Sequence, residues 1–201
     1  MRLLVVLLVA VLPSLADAKV FVSKGKVVPA IGQVRSLRPN GMMSVGSCAL
    51  IDDNHVLSCC HVISDPRLKV TIDGVTHAAT VVAMDTYHDW SILKLDTPSK
   101  ATPLKASNKA FQSGDKLFGF GYGKSYGYTV LTASKGVLNG LIVEGDSGGP
   151  IFNSDGYVVG VCTEKVPSRN ESRGFGIGKL KSFVDRWVDS GEELKVVVPA
   201  R

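Results

Sequence analysis

The stretch "VEGDSGGPIF", Val143–Phe152, sets one serine, Ser147, among three glycines and behind a carboxylate, Asp146, in otherwise apolar surroundings. A free serine hydroxyl is a weak nucleophile. To react it needs a base within hydrogen-bond reach and donors aimed at the oxyanion that develops on the attacked carbonyl. Glycines serve the second need, because without a Cβ they admit unusual backbone conformations and let a substrate carbonyl approach main-chain N–H groups. The motif therefore raises the question of where the base comes from.

Residues Gly145–Gly149 also satisfy the G-x-S-x-G elbow of α/β-hydrolases, in which the histidine follows the serine. Here all four histidines, His55, His61, His77 and His88, precede Ser147. The elbow reading, and with it a secreted esterase, is therefore opposed by chain order. Upstream, His61 ends the apolar stretch "VLSCCHVI" and Asp89 opens "HDWSILKL", a strand-like run, with Asp85 as the rival acid. The order His61, Asp89, Ser147 is that of the chymotrypsin triad and not of subtilisin.

The surrounding chain reads as β-structure. Runs such as "GSCALID", "KVTID", "AATVVAM", "WSILKLD", "KLFGFGYG", "YTVLTAS" and "GYVVGVCT" recur between turn signals at Asp52-Asp53-Asn54, Ile72-Asp73-Gly74, Ser113-Gly114-Asp115 and Ser154-Asp155-Gly156. Helical spacing occurs once, with Ile177, Leu180, Phe183, Val184, Trp187 and Val188 on one face, predicting a helix over about 178–189. The Pro-containing piece "DTPSKATPLKASNKA" divides the strand-rich sequence into an N-terminal unit over 19–100 and a C-terminal unit over 101–201. Many short antiparallel strands closed by one helix suggest paired barrels.

Arg2, the apolar run from Leu3 and the small-x-small pattern Ala16-Asp17-Ala18 read as a signal peptide over 1–18. The apolar run falls short of the roughly 20 residues a membrane helix needs. The expectation is a secreted or periplasmic chain with no membrane contact after cleavage. The net charge of +5 comes from scattered lysines, which argues against a nucleic-acid surface. Cys48, Cys59, Cys60 and Cys162 have no paired CxxC spacing, so no metal site is expected. Packed free thiols and one bridge at Cys48 are equally compatible with an oxidising destination. His55, His77 and His88 are expected at the surface, and Gly119, Gly121 and Gly123 are read as a turn, not a phosphate loop. Asn170-Glu171-Ser172 is a formal glycosylation sequon.

Taken together, "GDSGGP", "GSCALIDDNHVLSCCHVI", "DWSILKL" and "FGFGYG" resemble the chymotrypsin and trypsin superfamily of serine proteases. The phrasing "DWSILKLDTP" and "VEGDSGGPIFNSDGYVVGV" is closer to compact bacterial proteases of the high-temperature-requirement kind, here without a PDZ-sized region. The resemblance implies an all-β fold of two six-stranded antiparallel Greek-key barrels with a C-terminal helix. It also implies a peptide-bond hydrolase that needs no cofactor and acts on polypeptides, with a monomer favoured. Ser147 would be the nucleophile, His61 the base, Asp89 the orienting acid, and the N–H groups of Gly145 and Ser147 the oxyanion hole. Leu141, Thr163, Glu164, Lys165 and Gly174 would contact substrate. Leu141 stands where trypsin-type members carry an aspartate, so an apolar or small P1 residue is expected. A protease-like binding protein that has lost turnover is the alternative.

Two departures matter. Val62 follows His61 where the family often has a cysteine, so its usual disulfide cannot be carried over. No Ile-Val-Gly-Gly type sequence precedes the first barrel, so Asp146 lacks the N-terminal partner of zymogen-activated members and its own partner is open.

Overall fold

The computed structural model describes residues 29–105, 107, 111–123, 127–134, 137–139, 142–166 and 171–176. The proposed leader, the predicted helix over 178–189, Leu141 and Asn170 lie outside them.

Period-two burial builds the first barrel. In β4, Leu68–Ile72, the side chains of Leu68, Val70 and Ile72 are buried while Lys69 faces out. It joins β5, Val75–Asp85, through Asp73 and Gly74, both at positive φ, the pattern of a tight hairpin turn. With β1, Ile31–Leu37, β2, Met43–Leu50, β3, His55–Ser58, and β6, Trp90–Leu95, these close in the order β1-β2-β3-β6-β5-β4.

The second barrel comprises β7, Lys116–Gly121, β8, Gly127–Ser134, β9, Val137–Asn139, β10, Pro150–Phe152, β11, Val158–Val166, and β12, Glu171–Gly176. Its order, β10-β11-β12-β9-β8-β7 with β10 paired to β7, is the same cyclic order as the first. Two barrels thus share one topology without a sequence repeat. All strand pairs are antiparallel.

The Pro-containing connection is a strap pinned to both barrels. The Leu104 N–H donates to Leu50 O at 2.9 Å, and the Val158 N–H donates to Lys105 O at 2.9 Å. Leu104 itself is buried, a contribution of about 1.5–3 kcal/mol for a leucine side chain. Phe120, Phe152, Val158 and Val161 of the second barrel join the apolar cluster of the first, so the barrels meet through a continuous core.

Several sequence expectations are corrected. The strand holding "HVLS" stops at Ser58, and His61 sits on a single 3-10 turn, Cys60–Val62. Gly119 and Gly121 lie within β7, not in a turn. His77 is buried, because the β4–β5 register pairs it with Val70 and its Nδ1 meets Thr97 Oγ1 at 2.9 Å. His55 is only half-buried, held against Asp52, whereas His88 is exposed as expected. All four cysteines are free and buried, so Cys48 makes no bridge.

Candidate active site

Asp89 ends the short turn between β5 and β6 at φ 57, a left-handed conformation that aspartate tolerates better than most residues. Its two oxygens divide their work. Oδ1 accepts the His61 backbone N–H at 3.0 Å, and Oδ2 lies 2.7 Å from His61 Nδ1. An ionised carboxylate can only accept, so the ring N–H sits on Nδ1 and the lone pair of the neutral ring sits on Nε2. The rival acid, Asp85, builds the same turn instead, accepting from the Tyr87 and His88 amides and pairing with His88 Nδ1 at 2.7 Å. Cys60 ties the two parts together. Its thiol lies 2.9 Å from Trp90 O and 3.3 Å from Asp85 O, clamping the turn before His61 to the ends of the loop that carries Asp89.

The Ser147 loop docks against the same edge of the first barrel. The Ser147 carbonyl accepts the Ser47 N–H at 2.7 Å. A Cβ built on Gly46 would lie 2.8 Å from Ser147 O and 2.5 Å from Cγ2 of Val62, the residue after His61. The loop bearing the serine and the turn bearing the histidine therefore face one point on β2. Gly148, at φ 87, packs so tightly that its Cβ would fall 2.2 Å from Ser47 O and 2.3 Å from Ser58 Oγ. No side chain fits there.

The loop's amides fall into two sets. Those of Asp146, Gly148 and Gly149 donate to Val143 O, Cys162 O and Asp146 O at 3.0, 2.7 and 2.9 Å. Among the described residues, the Gly145 and Ser147 amides find no intramolecular acceptor. Two free N–H groups flanking one residue are what an anionic oxygen requires.

Asp146 also has its partners. Oδ1 accepts the Gly123 N–H at 2.8 Å and Oδ2 the Val143 N–H at 2.9 Å. Burial pushes this carboxyl above the ordinary carboxylate range, and the two amide bonds pull it partly back. The alternating glycines of "GFGYG" make room for it, since a Cβ on Gly121 or Gly123 would lie 2.7 Å from Asp146 Oδ1. That spacing serves close backbone approach.

Ser47 was not singled out in the sequence. It is fully buried, its Oγ donates to Gly145 O at 2.7 Å and accepts the Tyr122 N–H at 2.8 Å, and its carbonyl accepts Ser58 Oγ at 2.8 Å. A serine inside the run "GSCALI", Gly46–Ile51, was the available signal. Of the expected substrate contacts, Thr163 is buried on β11 beside a register shift, Glu164 and Lys165 follow on the same strand, and Gly174 pairs with Cys162. Among the described residues, one group could hold a metal: Cys59, His61 and Asp89 offer ligand atoms within 4.8 Å of one another.

A family model for the trypsin-like peptidase domain matches residues 46–161, more than half of the chain. The chain belongs to the trypsin-like peptidase family. Within this family the peptidase domain is 27% identical to the serine protease HTRA1B of Danio rerio, over 70% of the chain and 36% of that relative. It is 26% identical to the serine protease Do-like HtrB of Bacillus subtilis, over 71% of the chain and 36% of that relative. The chain spans less than half the length of these curated relatives. Among solved structures, the Rv3671c protease from M. tuberculosis in its active form superposes with a TM-score of 0.74 at 19% identity, covering 85% of this chain and 84% of that one. The serine endoprotease from Yersinia pestis superposes with a TM-score of 0.71 at 21% identity, covering 82% and 65%. These likenesses establish the double-barrel fold. No helix among the described residues is long and apolar enough to cross a membrane.

Proposed function

We propose that this peptidase domain is a secreted or periplasmic serine endopeptidase that cleaves polypeptides through an acyl-enzyme on Ser147. The single observation that carries the reading is the His61–Asp89 pair at 2.7 Å, turned so that Nε2 keeps its lone pair, beside a serine loop with two unengaged amides. His61 Nε2 takes the Ser147 hydroxyl proton as Oγ attacks the scissile carbonyl, then delivers it to the leaving amine. Asp89 fixes the tautomer and stabilises the imidazolium, while the Gly145 and Ser147 N–H groups receive the oxyanion. The amide partners of Asp146 support activity without a newly cut N-terminus, because its carboxylate is satisfied by the Val143 amide of its own loop and the Gly123 amide after β7. Residues 1–18 support export. Leu141 supports an apolar or small P1 side chain, with Thr163, Glu164, Lys165 and Gly174 flanking the bound peptide.

The test is labelling with a fluorophosphonate probe alongside hydrolysis of a casein-type substrate, comparing the wild type with Ser147→Ala. Both signals are expected in the wild type and neither in the variant. Labelling that survives the substitution rejects Ser147 as nucleophile. A folded wild type lacking both signals favours a binding protein on the same scaffold. Peptide-library profiling checks the P1 preference, and dominant cleavage after Arg or Lys rejects it.

A further inference from the structure

His61 has two ring nitrogens and two different neighbours. Nδ1 is engaged by Asp89, and Nε2 faces the sulfur of Cys59 at 3.8 Å. A tetrahedral zinc ion with Zn–S of about 2.3 Å and Zn–N of about 2.0–2.1 Å holds its sulfur and nitrogen about 3.5 Å apart. The observed separation is within a few tenths of an ångström of that span. A small rotation of the half-exposed ring closes it.

The surroundings add a second argument. Both Asp89 oxygens are already committed, one to the His61 amide and one to the ring N–H. This is the carboxylate–histidine arrangement that orients a zinc-bound imidazole and raises its basicity. Asp89 thus acts behind the ligand, and water completes the coordination sphere on the exposed side of the ring. The neighbouring thiol of Cys60 is directed at Trp90 O, which leaves Cys59 to supply the sulfur. The pairs His55–Asp52 and His88–Asp85 also combine an imidazole with a carboxylate, yet among the described residues neither brings a cysteine sulfur together with both of its ligand atoms.

We propose that Cys59 and His61 form an inhibitory site for a thiophilic divalent cation of the zinc class, with Asp89 orienting the histidine from behind. Coordination forms a Zn–S and a Zn–N bond, expels water from the ion and releases the Cys59 proton to solvent, with no redox change. The metal occupies the Nε2 lone pair that the proposed mechanism uses as general base. The inhibitory consequence rests on that mechanism, whereas the coordination itself does not. Metal and serine proton therefore compete for one orbital, and the cation lowers kcat.

The experiment separates the two. Cobalt(II) is titrated into the purified Ser147→Ala protein, in which no turnover is needed, and thiolate-to-cobalt charge transfer is read in the near-ultraviolet. The band is expected with Cys59 present and is lost when Cys59→Ala or Cys59→Ser is added; should neither variant fold, His61→Ala in the same background takes their place, and a band that it leaves unchanged overturns the site. In parallel, casein hydrolysis is measured with zinc chloride and then excess chelator, each protein normalised to its own metal-free rate. Chelator-reversible inhibition by zinc is expected, weakened at least about tenfold by Cys59→Ser. A band in the Ser147→Ala protein, together with a folded wild type that neither hydrolyses casein nor takes the fluorophosphonate label, supports the metal site and rejects the peptidase reading. Absence of the band, or a band and zinc response unchanged by either Cys59 substitution, overturns the site.

Discussion

The hydroxyl of Ser47, on β2 of the first barrel, donates a 2.7 Å hydrogen bond to the carbonyl of Gly145, in the serine loop of the second. The same oxygen accepts the Tyr122 N–H, so one buried atom ties the loop to β7's outgoing chain as well. Ser47→Ala removes the hydrogen-bond partner of a part-buried carbonyl and of a part-buried amide, a loss of about 0.5–1.5 kcal/mol for each bond. The expected outcome is a lower Tm together with a kcat/KM reduced on the order of tenfold to a hundredfold, as the Gly145 amide loses its fixed direction. Full activity at reduced Tm would confine Ser47 to a structural role. Thermal melts and steady-state kinetics on the same preparation decide it.

Asp89 combines a charge with a left-handed backbone at φ 57. Asn shares the tolerance for that conformation but not the charge, so Asp89→Asn is expected to keep Tm nearly unchanged while activity falls on the order of 10⁴-fold, the loss known for the same change in a related triad. Ala lacks the conformational tolerance as well, and Asp89→Ala is expected to be about 1 kcal/mol less stable than Asp89→Asn. Equal activity in Asn and wild type would remove Asp89 from the mechanism.

Gly148 meets the first barrel where no Cβ fits, 2.2 Å from Ser47 O, and it does so at φ 87. Gly148→Ala therefore meets both backbone strain and overpacking, together about 2–5 kcal/mol. The serine loop is expected to lift from β2, seen as lost fluorophosphonate labelling and a lower denaturation midpoint. A variant that labels at the wild-type rate would mean that the loop has slack the packing does not reveal.

The fold and the candidate site were legible to different depths. Histidine order relative to Ser147 was enough to favour paired barrels over an α/β sheet, because a base must reach its nucleophile and topology constrains how. His61 and Asp89 were identifiable since each stands beside an apolar run whose direction fixes its end. Ser47, Cys60 and the role of Gly121 and Gly123 were not, because their importance lies in contacts between residues dozens of positions apart, for which local pattern carries no signal. Burial of His77 was missed for a related reason: its inward position follows from the β4–β5 register and a partner at Thr97. The strands β9 and β12 are short or carry charge and glycine, and they form by pairing with neighbours, not by propensity.

The four cysteines give a direct test of the core. Each is buried, and burial pushes every thiol up, that of Cys60 to about 12. Thiolate is the reactive form, so at pH 8 the folded protein is expected to resist a thiol-specific reagent, and the denatured protein to titrate four thiols per chain. Two thiols after denaturation would indicate a disulfide and require a rearranged barrel. Rapid reaction in the native state would contradict the packing around Cys59 and Cys60.

Asp146 makes stability depend on pH with a definite sign. Its carboxyl is raised by burial, so the folded state holds the proton to a higher pH than the unfolded chain does. The folded form is therefore favoured by this group below the ordinary carboxylate range, and that contribution is lost as pH rises through the raised value. Asp146→Asn has no such titration, but its amide nitrogen replaces one acceptor oxygen and faces a backbone N–H, either of Val143 or of Gly123. The variant should start less stable than wild type at acidic pH, and the gap should narrow as pH rises from about 4 toward 7. Denaturant midpoints of both proteins across that range test the sign. A gap that widens over the same interval would mean that the two amide bonds to the ionised carboxylate outweigh its desolvation, which reverses the direction assigned to Asp146.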